Sequence, residues 1–92
     1  MSVPDRHIIE QAYAFFHQKE RVYSHSQSEA EKDHIEDSVA AYANSMSDEL
    51  YMVLSGGDDA YLKEHICFGE QLKDAVAKTE RMLSGYIYPQ IH

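Results

Sequence analysis

The sequence predicts an all-α protein, a small helical bundle of three to four helices in which the C-terminal helix is the longest. Three observations predict this fold class. Apolar residues recur at helical spacing, capping residues occupy the polar breaks between the apolar segments, and the 92 residues contain only two prolines. With 43% hydrophobic residues the chain can bury a core, and its length predicts a single helical domain over residues 1–92.

The first helix is predicted over about residues 3–23. Ser2, Pro4 and Asp5 form a helix-start signal in front of it. The apolar residues that follow make one broad face, which includes Phe16. We expect this aromatic face to cover the C-terminal helix and Phe16 to belong to the core.

The second helix is predicted over about residues 27–45. Two overlapping capping boxes precede it, Ser26 with Glu29 and Ser28 with Glu31, in which the hydroxyl and the carboxylate satisfy free backbone N–H groups. The front half of this helix is polar almost all round, so it should stand in solvent. Because the connection to the first helix is short, the two helices should be antiparallel neighbours.

The third helix is short, about residues 48–55, and Ser47 is its predicted N-cap. Its apolar residues are Leu50, Val53 and Leu54. Gly56 and Gly57 should end it, because consecutive glycines accept the positive φ values that reverse a chain.

The fourth helix is predicted over about residues 58–84, where one apolar seam advances in alternating steps of three and four residues. The seam consists of Leu62, His65, Gly69, Leu72, Val76, Thr79 and Leu83. Gly69 indicates either a close backbone approach of another helix or a weak point in the helix, and Gly85 should end the helix. The apolar tail, residues 86–92, is expected to dock. Since the short third helix cannot cover so long a seam, the sequence predicts a homodimer.

The net charge of −8 is concentrated in one part of the chain. Residues 29–64, called here the acidic segment, contain ten of the sixteen acidic residues but only two of the eight bases. This distribution disfavours nucleic-acid binding, which depends on clustered Lys and Arg. It is compatible with a basic protein partner or a cation. The simpler interpretation is a solvated face that keeps a small protein soluble.

Glu31 and His34 form the best candidate for a metal site. A Glu-x-x-His pair places a carboxylate and an imidazole one turn apart on the same side of a helix, and di-iron bundles of the ferritin-like type use two such pairs with further glutamates. Here there is one pair, to which Glu10, His17 and Asp37 could add ligands. Because one pair also arises by chance in an acidic helix, a surface role for His34 is the default.

The remaining candidate groups have ordinary structural interpretations beside functional ones. His65 on the apolar seam is either a buried neutral residue or a pH-sensitive interface residue. Cys67 is expected to be a packed small residue and not a nucleophile, since neighbouring glutamates would raise a thiol pKa. The seven tyrosines suit a core or an interface equally well.

These observations predict a non-enzymatic, acidic interaction or regulatory protein that presents an acidic face to a protein partner, as a homodimer and with no cofactor. The residues predicted for the interface are Leu62, His65, Gly69, Leu72, Val76, Tyr42 and Tyr61. The alternative function is a metal-binding bundle that uses Glu31 and His34. A helix-turn-helix that binds DNA is disfavoured by the charge. With no membrane-spanning segment and no signal peptide in the sequence, a cytoplasmic location is expected.

Overall fold

The computed structural model describes residues 5–64 and 67–87, with side chains described through residue 84. These ranges contain four α-helices and no strand: α1 (Arg6–His25), α2 (Glu29–Ser45), α3 (Asp48–Ser55) and α4 (Phe68–Ile87). The prediction of an all-α bundle is confirmed. Helices α1 and α4 are both 20 residues long, so the C-terminal helix is not longer than the first.

Helix α1 packs against both α2 and α4. Its Phe15 ring stacks on Tyr42 near the end of α2, with centroids 4.1 Å apart, while Tyr23 near its own end bonds Glu36 earlier in α2. The two helices are therefore antiparallel, as the short connection predicts. Tyr23 also meets Phe68 at the start of α4. Because α4 begins at the end of α1 and packs along it, α4 also runs in the opposite direction to α1.

The core takes buried side chains from every helix. Its members include Ala12 and Phe16 from α1, Ile35, Val39 and Ala43 from α2, Leu50 and Leu54 from α3, and Leu72 and Ala75 from α4. Phe16 is fully buried, which confirms its predicted place in the core. Val53 does not join this cluster and is 49% exposed, because Leu50 and Leu54, four residues apart, already fill the inner side of the short helix.

Capping accounts for two of the helix starts. The Ser28 hydroxyl accepts the N–H of Glu31 at 3.2 Å, and the Ser47 hydroxyl accepts that of Leu50 at 3.3 Å, as predicted. The Glu31 carboxylate instead accepts the hydroxyl of Ser26 at 2.7 Å. Asp5 is the N-cap of α1 without a side-chain bond, and the start signal at Ser2 and Pro4 lies outside the described residues.

The predicted helix over residues 58–84 is wrong in its first third. Turns occupy residues 56–63, and α4 begins only at Phe68. Two residues other than glycine have positive φ values here, 64° at Leu62 and 55° at Cys67. Because a right-handed helix requires negative φ, the helix cannot continue through them. Gly56 ends α3 in the left-handed conformation, as expected. At the other end α4 continues through Gly85 to Ile87, so Gly85 does not end the helix.

Two further sequence predictions fall outside what the structure describes, namely the place of His65 on the seam and the docking of the tail at 86–92, whose side chains are not described. None of the described helices is long and apolar enough to cross a membrane.

Candidate interaction surfaces

The acidic segment lies almost wholly at the surface. Nine of its ten carboxylate side chains are exposed, namely Glu29, Glu31, Asp33, Asp37, Asp48, Glu49, Asp58, Asp59 and Glu64. Within α2, Glu29, Asp33 and Asp37 are spaced four residues apart and therefore lie along one face of the helix. The front half of α2 stands in solvent as predicted, apart from the half-buried Lys32.

Both bases of the acidic segment lie over tyrosine rings. The Lys32 ammonium is 5.7 Å from the centroid of the Tyr23 ring, and that of Lys63 is 4.3 Å from the centroid of Tyr51. Both lysine side chains are half-buried, as their alkyl stems cover apolar surface. A cation over a ring keeps its charge, so the segment retains ten acidic residues against two bases.

The tenth carboxylate, that of Glu36, is buried with 7% exposure. It accepts the hydroxyl of Tyr23 at 2.7 Å, which links α2 to α1. Burial raises the pKa of Tyr23 to about 12, together with the hydrogen bond to Glu36. This pair cannot be predicted from the sequence, because Glu36 is one acid among many in an acidic helix.

The Tyr23 ring is the neighbour of the glycine near the start of α4. A Cβ atom added to Gly69 would lie 3.4 Å from the ring, which is an ordinary van der Waals contact, while Phe68 meets the same ring edge to face. Gly69 therefore meets a side chain of α1 and not a closely approaching backbone, and the contact does not require a glycine.

A network of tyrosines holds the connection between α3 and α4. The hydroxyl of Tyr51 lies 3.2, 3.1 and 2.7 Å from the carbonyl oxygens of Asp58, Asp59 and Tyr61, and its one proton is shared among them. The Gln71 amide oxygen accepts the N–H of Leu62 at 2.8 Å. These bonds hold the turn that replaces the first part of the predicted helix.

Tyr61 joins the same connection to the middle of α4. Its hydroxyl donates to the Asp74 carboxylate at 2.7 Å, and the Lys78 ammonium lies 3.1 Å from the same carboxylate. Burial raises the pKa of Tyr61, and the bond to Asp74 raises it further. Burial also raises the pKa of Asp74, but the hydrogen bonds from Tyr61 and Lys78 outweigh this effect and leave the pKa below its usual value.

The residues predicted for an interface occupy several environments. Leu62, Leu72 and Tyr61 are buried within the chain, so they belong to its core and do not offer a surface to a second subunit. Gly69, Val76 and Tyr42 are half-buried, with Val76 and Tyr42 packed against the core. Of the tyrosines that suited a core or an interface equally, Tyr42 and Tyr51 also line the core.

Cys67 corrects a further expectation. It is exposed and precedes α4 in the left-handed conformation, whereas a packed position inside a helix was predicted. The reason is again the turn, which places this residue outside the helix.

The predicted metal pair does not converge on further ligands. His34 is exposed, while Glu31 lines an open groove of about 550 Å³ that is also bordered by Arg21 and His25. A positive charge at Arg21 opposes a cation there. Glu10 pairs with Arg6 at 3.1 Å, and His17 stacks on Tyr13. Within residues 5–64 and 67–84 no three His, Cys, Asp or Glu side chains are grouped in a way that could hold a metal ion.

Comparisons of the chain with protein-family models, with curated proteins and with solved structures found no match. The fold itself defines the class, a small all-α bundle.

Proposed function

We propose that this protein is a non-enzymatic interaction or regulatory module that presents the acidic segment to a basic region of a protein partner, and that it acts as a homodimer. The proposal is carried by one observation: nine of the ten carboxylates of the segment are exposed. A cytoplasmic location, action without a cofactor and the absence of catalysis belong to the same proposal.

The physical basis is electrostatic. Exposed carboxylates attract a basic partner over about 8 Å at physiological ionic strength. This attraction raises the association rate more than the final affinity. Glu29 and Asp33 lie one turn apart on α2 and would meet Lys or Arg side chains at similar spacing. The same field repels the phosphates of nucleic acids, so the preferred partner is a protein.

The test uses a fluorescent lysine-rich peptide as the basic probe and measures its binding by anisotropy at low and at high salt. The variant Glu29→Gln/Asp33→Asn removes two charges from the acidic segment. The control Glu70→Gln/Glu80→Gln removes two exposed charges from α4, so both variants have the same net charge. We expect the first variant to weaken binding by about tenfold and the control to weaken it much less. Equal weakening by both variants would show that binding follows net charge alone and would overturn the proposal.

A further inference from the structure

The outward side of α3 carries the two most exposed side chains among the described large hydrophobic residues. Met52 is 61% exposed and Val53 is 49% exposed, compared with 41% for Val22 and 37% for Ile8. Leu50 and Leu54 are fully buried on the opposite side of the same helix. Two of the five apolar side chains of this eight-residue helix therefore face outward.

Charges of opposite sign stand at the two ends of this surface. Asp48 and Glu49 are exposed at the start of α3. At the end of α3 the Lys78 ammonium lies 2.6 Å from the carbonyl oxygen of Leu54 and 3.1 Å from the Asp74 carboxylate, which offsets its charge. The exposed Arg81 therefore supplies the positive charge at this end. An open groove of about 360 Å³ continues the surface there, and it is lined by Val53, Lys78, Arg81 and Met82. We call this surface, from Glu49 through Met52 and Val53 to Arg81, the α3 face.

An apolar centre between an acidic end and a basic end is complementary to itself. When two copies are related by a two-fold axis through the middle of α3, the helices run antiparallel and each apolar centre meets the other. The acidic end of one copy then lies beside the basic end of its partner. A partner of uniform charge would instead meet an unfavourable charge at one end of the α3 face.

We propose that the occupant of the α3 face is the α3 face of a second copy of this chain. This inference rests on the homodimer proposed above and assigns a surface to it. Met52 and Val53 form the centre of the contact, and Glu49 of each copy meets Arg81 across it. Methionine suits such a contact because its flexible side chain adapts to the opposing surface. The acidic residues of α2 are not used by the contact and remain open to a basic partner.

The first experiment measures self-association by sedimentation over a range of protein concentrations. Met52→Glu places a charge at the centre and is expected to weaken the dimer by at least about tenfold. Ile8→Glu, which also places a charge at an exposed apolar residue but on α1, is the matched control and should leave the dimer unchanged. Circular dichroism checks that each variant retains its helix content.

The second experiment exchanges the charges at the two ends. Glu49→Lys and Arg81→Glu should each weaken the dimer, and the combined variant should restore it, because the pair is then reversed but again complementary. A third test joins Met52→Cys with Cys67→Ser, so that oxidation should link two copies through position 52. Ile8→Cys in the same background should give no linked dimer.

The outcomes separate this inference from the wider proposal. A dimer that survives Met52→Glu and shows no rescue by the charge exchange overturns the α3 face while leaving the homodimer in place. A wild-type chain that stays monomeric at all concentrations overturns both. Loss of the dimer with Met52→Glu, together with rescue by the exchange and linkage at position 52, supports the α3 face.

Discussion

Tyr23 joins three helices, since its hydroxyl bonds Glu36 of α2 and its ring packs on Phe68 and Gly69 of α4. Its pKa, raised to about 12 mainly by burial, exceeds the value near 10 of an unfolded chain. The stabilisation linked to this proton is therefore full below pH 10 and is lost as the pH rises towards 12. Tyr23→Phe should reduce the fall in stability over this range, measured by urea unfolding at a series of pH values.

Tyr13→Phe is the matched control for that measurement, because the Tyr13 ring stacks on His17 away from Glu36. The control should keep the alkaline fall of the wild-type chain. If Tyr23→Phe keeps it as well, the proton of Tyr23 is not the cause.

Phe16 provides a second prediction at the scale of the residue. Because this ring is fully buried, Phe16→Ala should lower the free energy of unfolding by about 3–5 kcal/mol. Val22→Ala, at a side chain that is 41% exposed, should change it by less than about 0.5 kcal/mol. Denaturant unfolding of the two variants gives both values, and a small loss for Phe16→Ala would contradict its place in the core.

The connection between α3 and α4 depends on the pair Tyr61 and Asp74. In a double-mutant cycle, Tyr61→Phe and Asp74→Asn should show a coupling of about 1 kcal/mol, because Asp74 is partly exposed and solvent weakens the bond. The pKa of Asp74 lies below its usual value. Its contribution is therefore present above about pH 4 and lost as the pH falls further, so Asp74→Asn should reduce the acid sensitivity of unfolding. Additive single effects and an unchanged acid limb would contradict the role of this pair.

Substitutions at Cys67 test whether the backbone of the same connection is strained. Its φ of 55° costs a non-glycine residue about 1–2 kcal/mol, and its side chain is exposed. Cys67→Gly should therefore stabilise the protein by up to about 1 kcal/mol after the greater entropy of unfolded glycine is subtracted. Cys67→Ala keeps the strain and should be near neutral. Thermal unfolding of both variants decides the point, and a destabilising glycine would indicate that the left-handed conformation is not under strain.

The helix starts differ in how far the sequence predicts them. The starts of α2 and α3 follow from the N-cap residues Ser28 and Ser47, which act locally. The start of α4 does not follow from local residues. The apolar period continues through Leu62, but contacts distant in sequence set the backbone conformation of Leu62. The hydroxyl of Tyr51 and the amide of Gln71 hold that turn, and periodicity carries no information about such bonds. Burial of Glu36 was missed for the same reason.

The molecule as a whole has a net charge of −8, with most of its acidic side chains exposed. Mutual repulsion of these charges opposes the compact state and is screened by salt. Stability should therefore rise by a few tenths to about 1 kcal/mol between low and physiological salt. The rise should be smaller in Glu29→Gln/Asp33→Asn than in Glu70→Gln/Glu80→Gln, as measured by urea unfolding. A salt dependence that is equal in both variants would mean that the charge is felt evenly over the surface.

The bond between Tyr23 and Glu36 also constrains how the chain can change in evolution. A buried carboxylate that loses one of its donors is less stable, so a loss at position 23 favours a loss at position 36. Among homologous chains these two positions should vary together, with an apolar residue at 36 wherever 23 carries no hydroxyl. Helices α1 and α2 would then be linked by covariation at the same two positions that the hydrogen bond joins.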